Sequence, residues 1–106
     1  VIAARAHGLR CMDGPYAAFR DSAGLEQAAR IARALGFDGK QCIHPAQLEV
    51  VTQVFTPSVE EISWAEQVVA AYQEALVRGD GAIRIGDRMI DMASLRMAQT
   101  IVELKH

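Results

Sequence analysis

The sequence predicts an α/β chain: two βα units followed by a helix, a small hairpin and a last helix. Three observations predict it. First, residues 36–45 read as a helix stop at Gly36, a short apolar strand from Lys40 to His44, and a new helix start at Pro45. Second, Arg10-Cys11-Met12 forms another short run that ends in the turn-forming Asp13-Gly14-Pro15-Tyr16. Third, the stretches between and after these runs carry apolar residues at helical spacing.

Taken in order, Val1 to Leu9 is rich in Ala and Arg with Gly8 near its end, which suits the last turns of a helix whose beginning lies upstream. Asp21 offers an N-cap, and Leu25, Ala28, Ala29, Ala32 and Leu35 repeat at helical spacing up to Gly36. After the strand at Lys40 to His44, Pro45 fits the first helical position, and Leu48, Val51, Val54 and Phe55 make the next stripe. Thr56-Pro57 breaks that stripe. Ser58 and Glu61 have capping-box spacing, and Ile62, Ala65, Val68, Val69, Tyr72 and Leu76 extend the helix to about Val77 before Gly79. Ala82-Ile83-Arg84-Ile85 and Arg88-Met89-Ile90, joined by Gly86-Asp87, have the pattern of a tight hairpin. Asp91 then precedes a final helical stripe of Met92, Leu95, Ala98, Ile101 and Val102, ending near Lys105. The expected division is therefore residues 1–56, holding the βα units, and residues 57–106, holding the C-terminal helix, hairpin and last helix.

Composition narrows the function classes. In 106 residues, 51% are apolar and the formal net charge is −2, as in an ordinary soluble globular domain with one modest core. No basic run interleaved with aromatics suggests a nucleic-acid face. No apolar stretch is long enough to span a bilayer and no signal-peptide order of regions is present, so the expected address is cytoplasmic. Cys11 and Cys42 lie far apart, outside any CxxC or His-Cys cluster, and read as reduced, partly buried thiols.

A parallel pair of strands needs further strands to cover its edges, so the chain reads as the end of something larger. The residues that make up its punctuation carry a resemblance. Gly36-Phe37-Asp38-Gly39-Lys40-Gln41-Cys42-Ile43-His44-Pro45 resembles the Gly-Phe-x-Gly-Lys-x-x-Ile-His-Pro signature of the HpcH/HpaI aldolase and citrate lyase β-subunit family. Asp13-Gly14-Pro15-Tyr16 with Phe19-Arg20-Asp21 is similar to that family's seventh-strand stretch, and Phe55-Thr56-Pro57-Ser58 with Trp64-Ala65 to its Phe-x-Pro-Ser and Trp-Ala stretch. Gly81 to Asp91 is similar to the C-terminal lid, with Met89-Ile90-Asp91 as the most specific triplet.

The resemblance implies that the chain is the C-terminal part of a (β/α)8 TIM barrel, a fold of roughly 250 residues, comprising the last two βα units plus the lid region. It implies a Mg2+-dependent lyase that splits a 3-hydroxyacyl-CoA of the citryl-, malyl- or citramalyl-CoA type into acetyl-CoA and a 2-oxo acid. In such chemistry a divalent ion held by carboxylates polarises the reacting oxygen. The family's metal ligands lie on earlier strands, so no metal ligand is assigned here and this segment alone is expected to be inactive. The lid Asp of the family matches Asp91, which would act as general acid or base in the active site of a neighbouring subunit of a homotrimer or a multiple of it. Asp13, Gly14, Pro15, Lys40, Ile43, His44 and Pro45 would lie at the barrel mouth as contacts to substrate or CoA. A malyl-CoA thioesterase of the same family and a non-catalytic binding or assembly module are the alternatives.

Each site residue also has a local reading. Asp91 stands where an N-cap is expected, and Asp13 where a turn former is expected. His44 can fill a strand end with its ring bonded to backbone. Lys40 can be a solvated charge at a strand end or an attractor of phosphate or carboxylate. Met89, Met92, Met97, Trp64 and Tyr72 read as packing residues, and Glu60 and Glu61 as helix-start charges.

Overall fold

The computed structural model describes residues 1–80 and 83–104. The chain is α/β and divides into two compact units, Val1–Thr56 and Pro57–His106.

The first unit holds the parallel pair. Helix α1 (Ile2–Ala6) is followed by strand β1 (Met12–Asp13), helix α2 (Ser22–Leu35), strand β2 (Gly39–Lys40), a 3-10 turn (Pro45–Gln47) and helix α3 (Leu48–Phe55). The strands pair with Met12 opposite Gly39 and Asp13 opposite Lys40. A Cβ at 39 would sit 2.6 Å from the Met12 Cε, so any larger residue there displaces the end of the Met12 side chain. Asp21 caps α2 by accepting from the Gly24 N–H, and Gly36 ends the helix at φ +99°, a conformation that costs a side-chain-bearing residue energy. The Arg5 guanidinium clamps both Asp38 carboxylate oxygens at 2.9 and 3.0 Å and the Gly36 carbonyl at 2.7 Å, tying α1 to the turn before β2. Leu25, Ala29, Ala32, Val51 and Val54 are buried where α2 and α3 pack together.

Strand β2 is shorter than the Lys40 to His44 run read from the sequence. The Gln41 N–H still bonds the Asp13 carbonyl, but the Ile43 N–H is taken by the Gln47 side chain and His44 caps the 3-10 turn. Local side-chain acceptors have displaced the ladder. Helix α1 likewise stops at Ala6 rather than Leu9, with Gly8 at φ +65° just beyond it. Cys11 and Cys42 are free and half-buried.

The second unit comprises helix α4 (Val59–Arg78), the hairpin of β3 (Ile83–Ile85) and β4 (Arg88–Ile90), and helix α5 (Met92–Leu104). The capping box is complete: the Glu61 N–H bonds Ser58 Oγ, and the Ser58 N–H bonds the Glu61 carboxylate. Ala65, Val68 and Ala75 of α4 meet Leu95 and Ala98 of α5, with Ile83 and Ile90 from the hairpin completing the core. The alanines let the two helices approach closely. Leu35, Leu48, Leu76 and Met92, which the periodicity placed on apolar stripes, are exposed instead. The expected starts of the lid stretch at Gly81 and of the hairpin at Ala82, and the expected end of the last helix near Lys105, lie outside the described residues.

Candidate functional site

The C-terminal ends of β1 and β2 open into two loops, and these hold the residues expected at a mouth. The Lys40 Nζ donates to Asp13 Oδ2 at 2.6 Å and to the Gly14 carbonyl at 2.8 Å. Its side chain is only 5% exposed, which overturns the reading of Lys40 as a solvated strand-end charge. Asp13 is correspondingly the carboxylate of a half-buried ion pair, and such a pair persists where further hydrogen bonds satisfy it, as the Gly14 carbonyl does here.

His44 is extended, and its Nδ1 accepts from the Ala46 N–H at 3.1 Å. In the neutral ring that places the proton on Nε2, which is then a donor. The ring stacks on Phe19 with centroids 4.5 Å apart, and the Arg20 guanidinium lies 5.4 Å from the centre of the Phe19 ring. Pro45 opens the 3-10 turn at its first position. Ile43 presents an exposed side chain, and Gly14 and Pro15 lie exposed in the first loop. A shallow groove of about 510 Å³ runs along that loop, lined by Ala17, Ala18, Phe19, Arg20 and Asp21. Tyr16 closes the loop's far end by donating to Asp21 Oδ2 at 2.9 Å. That bond lifts the Tyr16 phenol above its ordinary value, while the Gly24 N–H and then the Tyr16 hydroxyl hold the Asp21 carboxyl below its own.

Sequence reasoning missed Gln47. Its side chain is fully buried, donating to the Tyr16 carbonyl at 2.7 Å and accepting from the Ile43 N–H at 2.9 Å. A signal was present. Gln47 stands three residues after the cap at His44, the spacing of the reciprocal partner in a capping box.

Asp91 belongs to the second unit, where it is the N-terminal cap of α5, its Oδ1 accepting from the Ser94 N–H at 2.8 Å. That hydrogen bond is the main reason its carboxyl is held below the ordinary range, so it is a carboxylate at neutral pH. Among the described residues, no group of three or more His, Cys, Asp or Glu is placed to hold a metal ion. No helix among the described residues is long and apolar enough to cross a membrane.

No family model matches the chain. Individual relatives do. It is 48% identical over 104 residues to the mitochondrial citramalyl-CoA lyase of Mus musculus, covering 98% of this chain and 31% of that protein. It is 46% identical over 91 residues to a (3S)-malyl-CoA thioesterase of Cereibacter sphaeroides, covering 86% of this chain and 32% of the relative. Among solved structures it resembles CitE from Mycobacterium tuberculosis in complex with magnesium, acetoacetate and coenzyme A. There the TM-score is 0.78 at 36% identity, over 97% of this chain and 37% of the other.

The class these likenesses define is the lyases and thioesterases of acyl-CoA esters. Within it, the chain belongs to the citrate lyase β-subunit-like family, matching its C-terminal segment. It spans about a third of the length of the relatives it matches.

Proposed function

We propose that the protein is a carbon-carbon lyase that splits a 3-hydroxyacyl-CoA of the citryl-, malyl- or citramalyl-CoA type into acetyl-CoA and a 2-oxo acid. The 48% identity to citramalyl-CoA lyase over almost the whole chain carries this reading. The two βα units are then the last two of a (β/α)8 barrel, with Asp13, Gly14, Pro15, Lys40, Ile43, His44 and Pro45 at its mouth as contacts to the CoA ester. Mg2+ is the metal the family suggests, and its ligands lie outside the described residues.

In cleavage, the 3-hydroxyl loses its proton, the bond between the α- and β-carbons breaks, and a 2-oxo acid leaves. The electron pair passes to the thioester as its enolate, whose α-carbon must gain a proton. Asp91 fits that exchange. In cleavage the Asp91 carboxylate takes the proton that leaves the 3-hydroxyl and, so protonated, hands it to the α-carbon of the enolate; in the condensing direction the same carboxylate removes the α-proton of acetyl-CoA. The hairpin and α5 act as a lid that carries Asp91 to the active site of a neighbouring subunit, in a homotrimer or a multiple of it.

The test is a coupled assay for acetyl-CoA released from citramalyl-, malyl- and citryl-CoA by the intact natural protein, with and without Mg2+. Metal-dependent release supports the lyase, and the preferred ester names the substrate. The similarity to a (3S)-malyl-CoA thioesterase favours a second reading, in which the thioester is hydrolysed. Free CoA and malate as products would establish it. Absence of any cleavage would leave a binding or assembly module.

A further inference from the structure

We propose that Gln47 is a positioning residue: its amide sets the spacing between the loop after β1 and the loop after β2, so that the two present one pre-formed seat for the CoA ester. The inference rests on the function proposed above.

The last ladder bond between the strands is the one from the Gln41 N–H to the Asp13 carbonyl. Beyond it the two chains separate, and Gln47 takes over the pairing. The Tyr16 carbonyl can only accept and the Ile43 N–H can only donate, so the orientation of the amide between them is determined by its partners. Both bonds go to backbone, and the residue therefore fixes the path of the chain rather than a particular side chain. The side chain has 0% exposure, so no water replaces a lost bond without rearrangement.

Two other bridges join the same two loops. Lys40 draws in the Gly14 carbonyl at 2.8 Å, and Phe19 stacks on His44 at 4.5 Å. Lys40 acts at the strand ends and the stack at the outer rim, with Gln47 between them. The two loops are thereby tied to each other at three places. Because Gln47 acts through them, its loss is felt in how well the ester is held rather than in how fast the held ester reacts.

Two variants of the intact protein test this. Gln47→Met keeps the length of the side chain and removes both bonds; KM for the preferred CoA ester rises about tenfold while kcat stays within about twofold. Gln47→Glu keeps an acceptor for the Ile43 N–H but offers the Tyr16 carbonyl no donor while ionised. Its KM, taken relative to wild type at the same pH, falls toward one as the pH drops from about 8 to about 5.5, since the introduced carboxyl regains a donor on protonation and its burial favours that form. Wild-type KM in both variants, or equal losses tracking the unfolded fraction, would overturn the inference while the proposed function stands. A wild-type protein that neither binds nor cleaves any of the esters would remove the proposed function and this inference together.

Discussion

Asp13 and Lys40 stand opposite each other on adjacent parallel strands, and their side chains close an ion pair at 2.6 Å on top of that backbone register. The pairing of the strands and the pairing of the charges are one contact made twice. Lys40→Met leaves the Asp13 carboxylate and the Gly14 carbonyl without their donor, and is expected to lower stability by about 2–3 kcal/mol. Asp13→Asn keeps a polar partner and should lower it by about 1 kcal/mol. Denaturant midpoints measured at constant slope check both; a Lys40→Met midpoint equal to wild type would mean the pair contributes nothing.

Asp91→Asn separates the two duties of that position. Asparagine is as good an N-cap as aspartate, so the melting temperature and CoA affinity should stay close to wild type. Turnover should fall by about a hundredfold or more, because the amide neither takes nor returns a proton. Unchanged turnover would leave Asp91 as a cap alone.

The Arg5–Asp38 clamp predicts an acid response. The hydrogen bond from Arg5 holds the Asp38 carboxyl below its ordinary value, so its stabilisation is complete above the unfolded value of about 4 and fades as the pH falls through the lower folded one. Arg5 is about half exposed, and screening limits the contribution to roughly 1 kcal/mol or less. Stability followed from pH 6 downwards should fall less steeply in Asp38→Asn than in wild type. Equal slopes would discard the clamp as an acid-sensitive element.

Gly24→Ala probes the closure of the first loop. A Cβ at 24 would collide with both Asp21 Oδ2 and the Tyr16 hydroxyl, so these side chains have to shift and the bond between them is expected to open. The Tyr16 phenol should then titrate lower, back toward the ordinary tyrosine value, as followed by ultraviolet absorbance. Helix propensity favours alanine by about 1 kcal/mol and offsets part of the weakened cap, so stability changes little. A phenol that titrates as in wild type would show that the bond survives.

How much of this was legible depended on range. Asp21, Ser58 with Glu61, Gly36, Gly79 and Pro45 all act within one helical turn, and their roles follow from sequence spacing. The limits of β2 did not, because they were decided by Gln47, a competitor for the Ile43 N–H whose other bond goes to Tyr16, 31 positions away. Lys40 could be read as a solvated charge or as an attractor of anions, and the sequence did not decide between them because its partner Asp13 stands 27 positions upstream. Asp13, Gly14 and Lys40 were grouped through the family signature, and the structure brings them into contact. The stack of Phe19 on His44 joins two loops that no local pattern relates.

The Asp91 cap also bears on how tolerance to substitution should be read. If every residue were tried at 91, a screen for folded protein would accept Asn, Ser and Thr, each able to cap α5. If Asp91 moves the proton as proposed, a screen for product would accept none of them. The distance between those two profiles, rather than intolerance itself, is what separates a residue kept for chemistry from one kept for folding.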